Sequence, residues 1–210
     1  MKVLLINGSP HEKGCTYTAL SLIAGELKAQ GIETEILHVG GQPVGGCIGC
    51  GGCRSGNGCV FGGVVNEAIE KAKTADAFVF GSPVHYASAA GNMASFMDRL
   101  AYAGGKYLAY KPAAVCCSAR RAGTTTTLDQ LVKYPQFFQM PLVNGSYWAM
   151  VHGSNPEQVL QDAEGCAVMQ ELGRNMAWLL RCIEAGKAAG IDTLGLNVSF
   201  VLLPSSPMSS

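Results

Sequence analysis

Short apolar segments alternate with longer amphipathic stretches along this chain, and the alternation predicts a parallel sheet covered by helices. We expect strands at 2–7, 33–39, 77–81, 113–118 and about 142–151. Helices are expected at 16–30, 64–73, 92–103, 125–134 and 156–185. Strand–helix units without an inserted domain fit an α/β, doubly wound, five-stranded parallel sheet of order 2-1-3-4-5, with helices on both faces.

Length and charge narrow the class of protein. We expect one domain over residues 1–190, followed by an atypical C-terminal tail at 191–210, whose apolar part could add an edge strand or dock on another subunit. The net charge of zero argues against a nucleic-acid partner held by electrostatics. The sequence has no apolar run of about 18 residues, so we expect no membrane span. Its opening apolar stretch is too short for a signal peptide, so we expect a cytoplasmic location.

The first strand runs into a loop of small and hydroxyl-bearing residues, GSPHEKGCTYT. Backbone N–H groups at the start of the following helix, together with the hydroxyls of Ser9, Thr16 and Thr18, would form an anion site. The loop matches neither GxxxxGK[ST] nor GxGxxG. An ordinary capped turn is the alternative, but the position of the loop in a doubly wound sheet favours ligand binding.

Two more loops follow the third and fourth strands, with the sequences GSPVHYAS and SARRAGT. Ligands of such sheets bind beyond the carboxyl ends of the strands, so both loops would border one crevice. Tyr86 offers a ring that could stack on a flat cofactor, and His85 offers a proton donor. Arg120 or Arg121 could bind negative charge; a solvated arginine pair is the alternative.

Four cysteines lie within thirteen residues in the segment CIGCGGCRSGNGC, at Cys47, Cys50, Cys53 and Cys59. Thiolates this close together hold an iron–sulfur cluster or a metal, or carry out thiol redox chemistry. Zinc is one alternative, although two successive two-residue gaps crowd a tetrahedral site. Free thiols that pack the loop are another. The odd total of nine cysteines argues against a disulfide framework.

Taken together, these residues resemble the NADPH-dependent FMN reductase superfamily, which has a flavodoxin-like fold. The closer resemblance is to the iron–sulfur flavoproteins and their cluster-free relatives. The motifs GSPHEKGCT, CIGCGGCRSGNGC, GSPVHYAS, FMDR and SARRAGT follow one another within residues 2–186. In FMDR, Phe96 and Met97 are expected in the core, and Asp98 and Arg99 as a local ion pair or an interface contact.

The resemblance implies bound FMN, in homodimers or homotetramers with flavin sites near subunit contacts. It implies that the phosphate lies at Ser9, His11, Cys15, Thr16 and Tyr17. It further implies that the isoalloxazine ring is bordered by Pro83, Val84, His85, Tyr86 and the segment 118–123, with Ser118, Arg120, Arg121 and Gly123. His11 stands where the family often has arginine, so phosphate binding would rest more on the backbone.

In the iron–sulfur flavoproteins a compact cysteine run ligates a [4Fe–4S] cluster, whereas the cluster-free relatives carry similar loops, so both alternatives stay open. We expect an FMN-dependent NAD(P)H oxidoreductase that passes electrons to a small-molecule acceptor such as a quinone or a flavin. The alternative is an iron–sulfur flavoprotein that carries electrons with ferredoxin-type partners. The cofactor performs the chemistry, so no catalytic side chain is required.

Overall fold

A parallel sheet forms the centre of the molecule. In a computed structural model that describes residues 1–191, the strand order is β2-β1-β3-β5-β6. The strands are β1 (Lys2–Asn7), β2 (Glu33–His38), β3 (Ala77–His85), β4 (Ser88–Ala89), β5 (Ala113–Ala119) and β6 (Met150–His152). The two-residue β4 pairs antiparallel with β3 and lies off this path. The order expected for five parallel strands is therefore confirmed.

Helices cover both faces of the sheet. They are α1 (Cys15–Ala29), α2 (Val64–Thr74), α3 (Gly91–Gly104), α4 (Thr124–Phe137), α5 (Pro156–Gln161) and α6 (Ala163–Ala188). Successive residues of a strand point to opposite faces, so Val3 and Leu5 join the core formed with α1 and α6, and Leu4 and Ile6 join the core formed with α2 and α3. No helix within residues 1–191 is long and apolar enough to cross a membrane.

The last expected strand and the last expected helix are both shorter in the structure. Leu142 forms only an isolated bridge to Ala113, and regular pairing begins at Met150. The apolar residues between them include Tyr147 and Trp148, which are exposed at the surface. These side chains therefore belong to a surface loop, although their apolar character resembles that of a strand.

The expected helix over 156–185 is divided at Asp162. The carboxylate of Asp162 accepts hydrogen bonds from the backbone N–H groups of Gly165 and His152, at 3.0 and 2.7 Å. It thereby caps α6 and ties the start of that helix to the end of β6. The apolar segment expected to form an edge strand or docking element lies in residues 192–210, outside the described residues.

Candidate functional site

The loop between β1 and α1 presents free backbone donors. Helix α1 begins at Cys15, directly after Gly14, which has no side chain to cap it, and its first turn contains no acidic residue. The N–H groups of Cys15, Thr16 and Tyr17 therefore lie at the helix end without intrahelical acceptors. This end of α1 has the donors and the partial positive charge that an anion requires.

Side chains within the loop hold it in this shape. The amide of Asn7 accepts a hydrogen bond from the Ser9 N–H at 3.1 Å and donates to the Glu12 carbonyl at 2.9 Å. The hydroxyl of Ser9 accepts a hydrogen bond from the His11 N–H at 3.1 Å. Asn7 and Ser9 are buried, whereas His11 is exposed. Asn7 thus organises the loop, although it carries no motif by which the sequence would reveal that role.

Two contacts bring the ends of β5 and β6 to this loop. The hydroxyls of Thr16 and Ser118 lie 2.8 Å apart, and both are buried. The Cys15 thiol lies 3.6 Å from the Gly153 carbonyl oxygen, to which it donates. Burial raises the pKa of the Cys15 thiol, so this residue packs as a neutral group. The Thr16 hydroxyl is thus shared with Ser118, and the Thr16 backbone N–H remains available as a donor at the start of α1.

The expected ring-binding loop after β3 is a tight hairpin. Its turn consists of Tyr86 and Ala87, whose φ angles are 52° and 59°. Such values suit a two-residue hairpin turn but cost about 1 kcal/mol or more for a residue other than glycine. The carbonyl oxygen of the Gln130 side chain accepts a hydrogen bond from the Ser88 hydroxyl at 2.6 Å. The hairpin is therefore anchored on α4, and the Tyr86 ring projects fully into solvent.

A cleft of about 330 Å³ separates this hairpin from the loop between β5 and α4. It is lined by Val84, Tyr86, Ala87, Ala119, Arg120, Arg121 and Ala122. Gly123 directly follows the lining residues with a φ of 91°, and an added Cβ there would lie 2.7 Å from the Ala87 Cα. Val84, Tyr86 and both arginines thus meet as expected, while Pro83, His85 and Ser118 adjoin the cleft outside its lining.

All four clustered cysteines line a second cavity, of about 250 Å³, between their loop and α3. Cys47 and Cys50 are exposed, and Cys53 and Cys59 are half-buried. Burial, and then the neighbouring cysteines, raise the pKa of the Cys53 thiol. Within residues 1–191, no three His, Cys, Asp or Glu side chains lie close enough together to hold a single metal ion. Four thiols around one cavity supply the number and type of ligand that a [4Fe–4S] cluster takes.

The same cavity contains a buried cation, Arg99, for which the sequence predicted a local ion pair or an interface contact. Arg99 is only 6% exposed, and its Nε donates to the Cys59 sulfur at 3.2 Å. Its other nitrogens donate to the carbonyls of Gly62 and Gly45, at 3.1 and 3.4 Å. The guanidinium also lies over the Phe61 ring, 5.4 Å from its centroid. Each hydrogen bond and ring contact that the structure shows for this side chain is with the segment 40–63 between β2 and α2, the cysteine loop.

The local ion pair expected between Asp98 and Arg99 is not formed, because their side chains point in different directions around α3. Asp98 instead accepts a hydrogen bond from the Tyr134 hydroxyl at 2.6 Å. Arg99 shares its face of α3 with Asn92, two turns earlier. Asn92 donates to the Gly40 carbonyl at 3.1 Å. The spacing of seven residues between Asn92 and Arg99, which places both on one face of α3, was the signal available in the sequence.

Cys59 is also fixed through its own backbone. The side chain of Asn66 accepts a hydrogen bond from the Cys59 N–H at 2.8 Å and donates to the Cys59 carbonyl at 3.0 Å. Because Asn66 lies in the first turn of α2, the end of the cysteine loop is held between α2 and α3. These two hydrogen bonds fix the backbone from which the Cys59 side chain projects.

The loop between β1 and α1, here called the anion loop, touches the cysteine loop at Gly40, where the cysteine loop begins. A Cβ at Gly40 would overlap the Ser9 carbonyl, so only glycine fits this position. His38 contacts the same carbonyl, with its Nε2 at 2.7 Å from the oxygen. The anion loop and the cysteine loop therefore share one backbone contact at the carboxyl edge of the sheet.

Residues 1–155 match the model of a known family, described as NADPH-dependent FMN reductase. This chain belongs to the NADPH-dependent FMN reductase family. It is thus a member of a flavin-binding family of oxidoreductases. The loop between β1 and α1, and the cleft between the β3–β4 hairpin and the β5–α4 loop, lie within the matched residues.

Individual relatives agree with the family. An iron–sulfur flavoprotein of Methanocaldococcus jannaschii is 28% identical over 192 residues, which cover 88% of this chain and 100% of that protein. Among solved structures, RosB with a bound 8-demethyl-8-formylriboflavin-5'-phosphate superposes with a TM-score of 0.67 at 14% identity, covering 100% and 96% of the two chains. A WrbA-like flavodoxin of Agrobacterium tumefaciens gives 0.60 at 13% identity, covering 86% and 97%. The two structural superpositions establish the flavodoxin-like fold.

Proposed function

We propose that this member of the FMN reductase family is an FMN-dependent oxidoreductase with a second redox centre, a [4Fe–4S] cluster. Its ligands are Cys47, Cys50, Cys53 and Cys59. The observation that carries the cluster is the cavity that all four thiols line, together with the buried Arg99. The end-to-end match to an iron–sulfur flavoprotein supports the same conclusion.

The chain provides FMN with two complementary regions. The free N–H groups at the start of α1 and the exposed His11 suit the phosphate. The cleft between the β3–β4 hairpin and the β5–α4 loop suits the ring, with Tyr86 available for stacking and Arg120 and Arg121 for negative charge. When bound, FMN supplies hydride and one-electron transfer, and the cluster supplies one-electron transfer.

The residues of the site bind and orient, and none is needed as an acid or base. Cys15 is a neutral packing thiol, and the hydroxyls of Thr16 and Ser118 bond to each other. NAD(P)H serves as the hydride donor in this proposal. Since Cys47 and Cys50 are exposed, the cysteine cavity is accessible to a ferredoxin-type carrier.

A second candidate is a cluster-free NAD(P)H-dependent reductase that passes electrons from FMN to a small-molecule acceptor. The hydrogen bonds of Asn66 to Cys59, and of Asn92 to Gly40, support it, because they anchor the backbone of the cysteine loop on α2 and α3 through protein groups. In this case the thiols would only pack the loop.

Anaerobic purification followed by an absorption spectrum and by iron and sulfide analysis separates the two candidates. We expect flavin bands together with about four irons per chain. Cys50→Ser should remove most of the iron and leave the flavin, whereas Cys182→Ser, at an exposed cysteine on α6, should change neither. Flavin without iron would select the cluster-free reductase. A protein that takes up no FMN even when it is added would contradict both.

A further inference from the structure

We infer that Arg99 is the counter-charge of the cysteine cavity, and that it raises the reduction potential of the cluster bound there. The inference rests on the proposed [4Fe–4S] cluster and adds a residue that lies outside the cysteine motif. Arg99 comes from α3, forty residues after Cys59, and reaches the cavity only in the folded chain.

The first argument concerns charge. An arginine stays charged inside a protein, and leaving such a charge buried without a partner costs several kcal/mol. Arg99 is 6% exposed, and within residues 1–191 no carboxylate lies within salt-bridge distance of it. Its neighbours are two carbonyls, a ring and the sulfur of Cys59. An anionic group in the cavity supplies the missing negative charge.

The second argument concerns geometry. The Arg99 Nε–H points at the Cys59 sulfur across 3.2 Å, while the outer nitrogens are fixed by the carbonyls of Gly45 and Gly62. A planar guanidinium held at three points cannot swing away from the sulfur. Phe61 covers one face of the group and excludes water from that side. The donor is therefore preorganised toward a cysteine ligand.

A thiolate-ligated cluster is anionic, and its reduction adds one electron and hence one negative charge. Arg99 stabilises that added charge in two ways, as a nearby cation that is itself buried and as a hydrogen-bond donor to a ligand sulfur. Net charge and hydrogen bonds to sulfur are among the factors that set cluster potentials. Arg99 therefore favours the reduced form and makes the cluster a better electron acceptor.

The same cavity offers a matched control. Arg54 also lines it, but its side chain is exposed to solvent. Water and salt screen an exposed charge far more than a buried one. A substitution at Arg54 removes the same formal charge from the same cavity, with a much smaller expected effect.

The test is a midpoint potential, measured by dithionite titration of the FMN-loaded protein with the cluster followed by electron paramagnetic resonance. Arg99→Gln and Arg99→Met should shift the ratio of reduced to oxidised cluster at least about tenfold toward the oxidised form, which is about 59 mV for one electron. Arg99→Lys, which keeps the charge, should recover at least half of this shift. Arg54→Met should change the ratio less than about threefold.

Other outcomes have distinct meanings. If the Arg99→Gln and Arg99→Met proteins keep their flavin but lose iron, while Arg99→Lys retains it, the counter-charge is supported through cluster retention. Equal potentials in Arg99→Met and the unmodified protein would overturn the inference, as would equal loss of iron from all three Arg99 variants. Neither outcome would contradict the proposed cluster of the unmodified protein. An unmodified protein that holds no iron contradicts the proposed cluster itself, and the inference falls with it.

Discussion

The anion loop and the cysteine loop adjoin at one edge of the sheet, but different kinds of contact hold them. In the anion loop, Asn7 and Ser9 bond to groups at most five residues away. In the cysteine loop, the side chains of Arg99 and Asn92 bond to groups thirty-seven to fifty-four residues away. The first loop takes its local shape from its own side chains, and Cys15 and Thr16 then join it to the ends of β6 and β5. The second needs α3 to be in place before its sulfurs are oriented.

Gly40 is where the two loops meet, so a substitution there should have the largest effect. The added Cβ of Gly40→Ala overlaps the Ser9 carbonyl, and we expect a loss of about 1–3 kcal/mol in the free energy of unfolding. Both flavin and iron content should fall, as measured by urea unfolding and cofactor analysis. Gly45→Ala is the control, because an added Cβ there meets nothing within 4 Å. Normal flavin binding by Gly40→Ala would show that the two loops are independent.

Asn66→Ala should affect the cysteine loop alone. It removes both hydrogen bonds to the backbone of Cys59, and the loss of such a partner costs about 1–3 kcal/mol. We expect iron to leave for a chelator about tenfold faster, while the dissociation constant of FMN stays unchanged. Asn57→Ala, at an exposed position in the same loop, is the control. Unaltered iron release in the Asn66 variant would mean that the cluster holds the loop by itself.

Tyr86→Ala should affect the flavin side alone. The ring is fully exposed, so the free energy of unfolding should change by less than about 0.5 kcal/mol. Loss of stacking should raise the dissociation constant of FMN about two- to tenfold, as followed by the quenching of flavin fluorescence. Tyr102→Ala, at another exposed tyrosine on the wall of the cysteine cavity, should leave FMN binding unchanged. Equal affinities of the two variants would argue against stacking at Tyr86.

The smallest effect is expected at the opposite edge of the sheet, where Glu35 bonds to Lys2 and Lys71 at 2.8 and 2.6 Å. These lysines lower the pKa of Glu35 below its ordinary value of 4.5. The stabilisation is therefore fully present above pH 4.5 and is lost as the pH falls through the lower pKa of the folded protein.

Because the pair is largely solvated, Glu35→Gln should cost less than about 1 kcal/mol at neutral pH. The difference from the unmodified protein should shrink below pH 4.5. Urea unfolding at several pH values measures both. FMN and iron contents should not respond; a response would mean that the two edges of the sheet are coupled.

The sheet order and the anion loop follow from contiguous sequence, because an apolar strand, small residues and a helix start lie side by side. The ring cleft was also predictable, since parallel strands bring Val84, Tyr86 and Arg120 to one edge. Arg99 was missed because its neighbour Asp98 suggested a local pair, whereas its true contacts are distant in sequence. The break at Asp162 was missed because helical periodicity continues across it.

The way α3 divides its side chains has an evolutionary consequence. Met93, Phe96 and Met97 belong to the hydrophobic core, while every hydrogen bond that Arg99 donates within residues 1–191 goes to the cysteine loop. Related proteins can therefore change the sequence of the cysteine loop while the core residues of α3 keep the sheet and its helices in place. Without the cysteines, a buried arginine at this position would destabilise the fold, because its charge would lack a partner. We therefore expect relatives that have lost these cysteines to have lost the arginine as well.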